Sequence, residues 1–164
     1  MRKRFSMDKE KQKIRICFAA SSGGHFEQLM MLRPLMEQYD SFVVTEKTVY
    51  ATDVKGIETY YMVQVNREER SCFWKLLVNT VKSLKLYFAK KPDVIICTGV
   101  LAMIPLCLIC KLFGKKLIFI ESFAKVTSPT KSGKLLYRFA DQFYVQWPQM
   151  LEVYPDAIYV GGIY

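Results

Sequence analysis

A glycine pair set between two different periodicities constrains this chain more than any other feature. Ile14, Ile16 and Phe18 alternate with charged or small residues, and Ala19-Ala20-Ser21-Ser22 then leads into Gly23-Gly24-His25. From Phe26 onward Leu29, Leu32, Leu35 and Met36 fall three or four apart. The first pattern predicts a strand and the second a helix. Strand, glycine turn and helix in that order form the corner of an α/β sheet at which anions bind. The first N–H groups of the helix lack partners there, and the dipole adds about half a positive charge. The same geometry also serves as a plain tight connection, and the stretch alone does not decide between the two.

The alternation continues along the chain. Strands are predicted at Phe42–Thr45, Thr59–Val63, Asp93–Gly99, Leu117–Ile120, Phe143–Val145 and Ile158–Val160, with helices at Cys72–Ala89, Val100–Phe113 and Leu135–Ala140. Val94-Ile95-Ile96-Cys97 is unbroken in its apolarity, the mark of a strand buried on both faces and so of a parallel sheet. The expected architecture is a doubly wound, mostly parallel, Rossmann-like α/β domain over residues 13–164, preceded by a basic flexible tail, 1–12. Residues 94–110 carry no charge and approach the length of a membrane span, but Gly99 and Pro105 divide them into a strand and a buried helix.

The formal net charge of +9 points to an anionic partner: nucleic acid, anionic lipid or a phosphorylated substrate. Part of it lies in the opening residues Arg2, Lys3, Arg4, Lys9, Lys11 and Lys13, which lead into no apolar core, so no signal peptide and a cytosolic protein are expected. Five cysteines, mostly in apolar runs, fit buried free thiols. Cys107-Leu-Ile-Cys110 has half-site spacing but no second pair, and His25 is the sole histidine, so no metal is expected. In the Cys72–Ala89 helix Phe73, Leu77, Val81, Leu84 and Phe88 make one apolar stripe, with Lys75, Asn79, Lys82 and Lys85 away from it. Trp74, Leu76, Leu86 and Tyr87 widen the apolar side beyond one buried stripe. Such a helix suits a membrane interface, with lysines on lipid phosphates, or a crossover helix packed on the sheet with lysines in water. Glu46 stands about where a dinucleotide fold keeps its ribose-binding acid, but the G-x-G-x-x-G fingerprint is missing, and an exposed loop carboxylate is expected there.

Five runs taken together resemble a known family: Ala20-Ser21-Ser22-Gly23-Gly24-His25, Glu121-Ser122-Phe123-Ala124-Lys125-Val126, Ser132-Gly133-Lys134-Leu135-Leu136-Tyr137, Ala140-Asp141-Gln142-Phe143 and Val145-Gln146-Trp147. In this order they resemble the PssD type of capsular and exopolysaccharide biosynthesis protein. That type is similar to the membrane-anchoring subunit of the two-chain UDP-N-acetylglucosamine transferase of dolichol-linked oligosaccharide synthesis. The resemblance spans Lys13 to Tyr164.

The resemblance implies half an enzyme, the N-terminal, acceptor-side domain of a GT-B glycosyltransferase, with the UDP-sugar site on a partner chain. Its closing Val160-Gly161-Gly162-Ile163-Tyr164 falls where a two-domain enzyme crosses into its donor half. It implies a polyprenyl-diphosphate-linked sugar acceptor, an anionic membrane surface met peripherally at the inner face of the cell membrane, no cofactor and no nucleic acid. Ser21, Ser22, Gly23, Gly24, Ser122 and Lys125 are then expected at the acceptor diphosphate, and Trp74, Lys75, Lys82 and Lys85 at the membrane. His25, at the start of the first helix, is the expected proton acceptor, with a ligand-binding or loop-fixing role as its alternative. Glu121 matches the family's loop glutamate and is expected to orient the acceptor or fix the Gly-Gly loop. Two other functions stay open: a non-catalytic enhancer of a complete glycosyltransferase, and a dinucleotide-dependent enzyme.

Overall fold

The computed structural model describes residues 12–49, 54–99 and 101–164. The basic opening, residues 1–11, and Val100 lie outside the described residues. Seven strands form one sheet: β1 (Gln12–Ala19), β2 (Tyr39–Lys47), β3 (Glu58–Val63), β4 (Val94–Cys97), β5 (Lys116–Ile120), β6 (Gln142–Val145) and β7 (Ile158–Tyr159). Their order is β3-β2-β1-β4-β5-β6-β7, and every pair is parallel. The helices are α1 (Gly24–Met30), α2 (Arg33–Gln38), α3 (Cys72–Lys90), α4 (Ile104–Leu112) and α5 (Lys131–Leu136). This is the doubly wound, Rossmann-like fold expected.

Alternation along β1 divides the core. Cys17 and Ala19 join Leu86, Tyr87, Leu106 and Phe119 in one cluster. Ile16, Phe18 and Ala20 join Leu29, Met36 and Val43 in the other. Both sheet faces are therefore covered, as an all-parallel sheet requires. The strand order reverses beside β1, and the loops after β1, β4 and β5 leave the same carboxyl edge, where ligands bind in such sheets.

Three elements differ from the sequence expectation. The first helix breaks into α1 and α2 because Pro34, in the first turn of α2, has no N–H to continue the ladder. The last helix begins earlier, at Lys131, where the Thr130 hydroxyl caps it by accepting from the Gly133 amide at 2.8 Å. The third difference is an inversion of α3. Its apolar stripe faces outward, with Phe73 70% and Trp74 66% exposed and Leu77, Val81, Leu84 and Phe88 exposed beside them. Asn79 and Ser83 are buried instead, together with Leu86 and Tyr87. The Asn79 amide explains the choice of face: it accepts from Val63 N at 2.8 Å and donates to Val63 O at 2.9 Å, completing the backbone pairing at the end of β3. No helix among the described residues is long and apolar enough to cross a membrane.

Candidate functional site

The glycine turn rises from β1 at the centre of the carboxyl edge. Ala20 N donates to Val44 O and Ser21 N to Gly99 O, both at 3.1 Å, so the turn is sewn to both neighbouring strands. Gly23 then takes φ 77°, ψ −143°, a conformation open to glycine, and starts α1. The amides of Gly23, Gly24 and His25 have no partner among the described residues.

Glu46 corrects one expectation. It is 5% exposed, not an exposed loop carboxylate. Oε2 accepts from Ser22 N at 3.2 Å and Ser22 Oγ at 3.1 Å, and Oε1 accepts from Val65 N at 3.1 Å. β2 runs longer than its apolar core suggests, which carries Glu46 between two loop starts whose amides need an acceptor. The serine turn is thus fixed by Glu46, and both of its oxygens have partners.

His25 sits half-buried on the first turn of α1. Its carbonyl accepts from Thr98 Oγ1 at 2.8 Å, which locks the turn to the end of β4. Its ring lies against Gly99, where a Cβ would stand 2.6 Å from Cγ and Nδ1. The ring nitrogens make no hydrogen bond to the described protein. His25, Ser21 and Lys125 line one open cavity of about 690 Å³, whose wall also includes Glu46, Arg67 and Lys131. Ser22, Gly23 and Gly24 lie between lining residues in the chain without lining the cavity themselves, and Ser122 does not line it either.

Glu121 lies behind the cavity, 1% exposed. Oε1 accepts from Ser122 N and Thr130 Oγ1, both at 2.9 Å, while Oε2 accepts from Tyr154 OH at 2.9 Å and Thr130 N at 3.2 Å. Burial, and then the Glu121 charge, push the Tyr154 phenol well above its ordinary value, so it remains a donor. Of the two contacts expected for Glu121, the one to the Gly-Gly loop is absent: the carboxylate faces Ser122, Thr130 and Tyr154, and Ser22 is held by Glu46 instead. The Glu121 carbonyl accepts from Gln146 Nε2 at 2.8 Å and Gln28 Nε2 at 3.3 Å. Gln28 Oε1 in turn accepts from Phe123 N at 3.2 Å. These glutamines, Thr130 and Arg67 were not legible as site residues. The signal available for Arg67 is its place in the loop after β3, on the same edge as the glycine turn.

Of the expected membrane residues, Trp74 is exposed, but Lys75 pairs with Glu69 and Lys82 Nζ donates to Tyr61 O at 3.2 Å. Lys85 is exposed. Cys17, Cys97, Cys107 and Cys110 are buried free thiols, and no group of metal-binding side chains converges among the described residues.

Comparison with known proteins extends the description. The family described as "Oligosaccharide biosynthesis protein Alg14 like" matches residues 16–163. The UDP-N-acetylglucosamine transferase subunit ALG14 of Homo sapiens is 29% identical over 93% of this chain and 84% of its own length. That of Yarrowia lipolytica is 31% identical over 85% of this chain and 76% of its own. Among solved structures, Acinetobacter baumannii MurG superposes with TM-score 0.64 at 19% identity, over 84% of this chain and 42% of that one. UDP-N-acetylglucosamine 2-epimerase from Rickettsia bellii gives 0.68 at 10% identity, over 93% and 46%. At these identities the likeness is one of fold, and this chain spans less than half of either protein.

Proposed function

The chain belongs to the family of Alg14-like oligosaccharide biosynthesis proteins, and on that premise we propose that it is the acceptor-side subunit of a two-chain UDP-sugar-dependent glycosyltransferase. Its acceptor is a polyprenyl-diphosphate-linked sugar in capsular or exopolysaccharide repeat-unit synthesis, as in the PssD type. The donor site lies on a separate partner. UDP-N-acetylglucosamine is the first donor to test, because the relatives' names carry it.

The observation that carries this reading is His25, whose ring nitrogens are unengaged on the wall of a polar cavity at the carboxyl edge. The acceptor hydroxyl loses its proton to His25 as its oxygen bonds to the anomeric carbon of the donor sugar. The bond from that carbon to the diphosphate breaks, UDP leaves, and the proton passes from His25 to solvent. The Lys125 ammonium, on the same cavity, offsets acceptor charge. Glu121 acts here as a positioning residue through Thr130, and Ser122 acts likewise.

The outward apolar stripe of α3 supports a membrane-facing role, with Trp74 and Phe73 entering the interface and Lys82 and Lys85 flanking it. The protein would then sit peripherally on the inner face of the cell membrane. The clamp of His25 between Thr98 and Gly99 favours a second reading, in which His25 fixes the loop and the chain enhances a complete transferase.

Reconstitution tests both. The isolated chain should show no transfer from UDP-sugar to a lipid diphosphate sugar, and adding the partner should restore it. His25→Ala should lower kcat of the pair by about 10²–10⁴-fold with partner affinity retained, and His25→Asn should not rescue it. Robust turnover by the single chain overturns the two-chain reading; near-normal kcat in His25→Asn assigns His25 to the loop.

A further inference from the structure

On the acceptor reading above, a diphosphate must rest in the cavity, and we infer that Arg67, Lys125 and Lys131 form the clamp that holds it. Arg67 comes from the loop after β3 and Lys125 and Lys131 from the stretch after β5, and all three line the one cavity.

Arg67 stands in the loop after β3, yet its Nη2 donates to Ser132 Oγ at 3.0 Å, in the first turn of α5. Ser132 is 1% exposed, so this bond anchors the guanidinium on a rigid element. The remaining N–H groups of the fork have no partner among the described residues and are the donors suited to a bidentate phosphate contact. Lys125 comes from the loop leading into α5 and Lys131 is the first residue of that helix, and both line the same cavity. Every ion pair among the described residues lies elsewhere, on Arg15, Arg33, Lys75, Lys90, Lys111 and Lys115. Three cations that make no ion pair thus line one cavity.

The carboxylates of the cavity sharpen the placement. Glu46 lies under Ser22, where its charge repels an anion from the serine turn. Glu68 is the other acid on the lining, adjacent in sequence to Arg67 and exposed. Three cations against two acids, one of them held by Ser22 and Val65, leave the lining net positive and draw an anion to Arg67, Lys125 and Lys131. A diphosphate arrives here from the lipid-linked acceptor or from the nucleotide sugar, and both present the same chemistry.

Calorimetric titration of the full chain with geranyl diphosphate, and separately with UDP, tests the clamp. Geranyl diphosphate should bind, and Arg67→Gln, which keeps a donor for Ser132 but removes the charge, should weaken it about ten- to a hundred-fold, as for a lost charge-assisted hydrogen bond. Lys131→Ala should weaken it several-fold, whereas Lys116→Ala, at the opposite edge of the sheet, should leave it unchanged. If Arg67→Gln lowers the thermal midpoint, Lys131→Ala carries the test, since its ammonium makes no hydrogen bond or ion pair within the described protein. Undiminished geranyl diphosphate affinity in the folded variants overturns the clamp and leaves the acceptor reading standing. Binding of UDP alone, lost with Arg67→Gln, upholds the clamp and overturns the acceptor reading. Binding of neither probe to the unaltered chain at millimolar concentration overturns the clamp.

Discussion

Gly99 allows His25 to be moved without being replaced. A methyl group at this position would stand 2.6 Å from Cγ and Nδ1 and 2.9 Å from Cε1 of the imidazole. Ordinary van der Waals contact begins at 3.4 Å, so the ring must retreat by the difference, 3.4 − 2.6, or about 0.8 Å. The retreat is a swing about a fixed backbone, because the His25 carbonyl is held by Thr98 Oγ1 at 2.8 Å. A displacement near 1 Å at a reacting group costs on the order of 10²-fold in rate, so Gly99→Ala should lower kcat of the two-chain enzyme by about that factor. Gly99 also lies at φ +157°, which alanine rarely adopts, and this strain should remove about 1–3 kcal/mol of stability. The assay is initial-rate transfer at saturating UDP-sugar, with thermal midpoints in parallel. The decisive arm is the double variant Gly99→Ala/His25→Ala, which should be no slower than His25→Ala alone, since both act through one group. A kcat within about threefold of normal in folded Gly99→Ala, or additive losses in the double variant, would refute the argument that the position of the His25 ring governs the chemical step.

Four further outcomes are expected. Serine at Phe73, Trp74 and Phe88 should release the protein from anionic liposomes in flotation assays at any salt concentration, since each buried apolar side chain contributes about 1.5–3 kcal/mol. Glutamate at Lys75, Lys82 and Lys85 should act more weakly, at about 1 kcal/mol per charge, because Lys75 is held by Glu69 and Lys82 by the Tyr61 carbonyl. Glu46→Gln should lower stability by about 1–3 kcal/mol, read as a fall in denaturant midpoint, because in either orientation its NH₂ group would face a backbone N–H, that of Ser22 or that of Val65. Asp93 gives a pH signature: the Arg15 backbone N–H, and then Lys115, hold its carboxyl below the usual value. Its stabilisation is therefore present above the unfolded value of about 3.9 and lost as pH falls through the lower folded one. Asp93→Asn should flatten the thermal midpoint against pH below about 4, and an unchanged acid limb would count against this account.

The sheet was legible because burial on both faces leaves a direct trace in composition, as in Val94-Ile95-Ile96-Cys97. The glycine turn was legible because a change of period marks a strand-to-helix corner. What escaped depends on contacts between residues distant in the chain. The α3 stripe was read correctly as apolar, but which face turns inward is settled by Asn79, whose amide pairs with Val63, 16 positions earlier. Polarity usually reads as exposure, and here it marks a buried backbone repair. Glu46 escaped for the same reason, since its acceptors serve Ser22 and Val65 from two different loops. Glu121 was located on the correct edge, but no local pattern tells a carboxylate facing the cavity from one enclosed by Thr130 and Tyr154. Arg67 needs the Ser132 hydroxyl, 65 positions away, to become more than a loop charge.

The pair Gln28 and Gln146 has a consequence for where disorder is lost. Both amides converge on the Glu121 carbonyl, while Gln28 Oε1 holds Phe123 N and Gln146 Oε1 holds Ile163 N at 3.0 Å. α1, the loop after β5, β6 and the segment near Ile163 are thereby joined through buried donors and acceptors. Their conformational entropy is surrendered when the chain folds, before any ligand arrives. Binding at this edge then has little loop motion left to freeze, and more of each contact remains as affinity. Leucine at either glutamine would leave donors and acceptors orphaned and return that ordering penalty to the moment of encounter, so a chain could keep every cavity-lining side chain and still bind more weakly and more slowly.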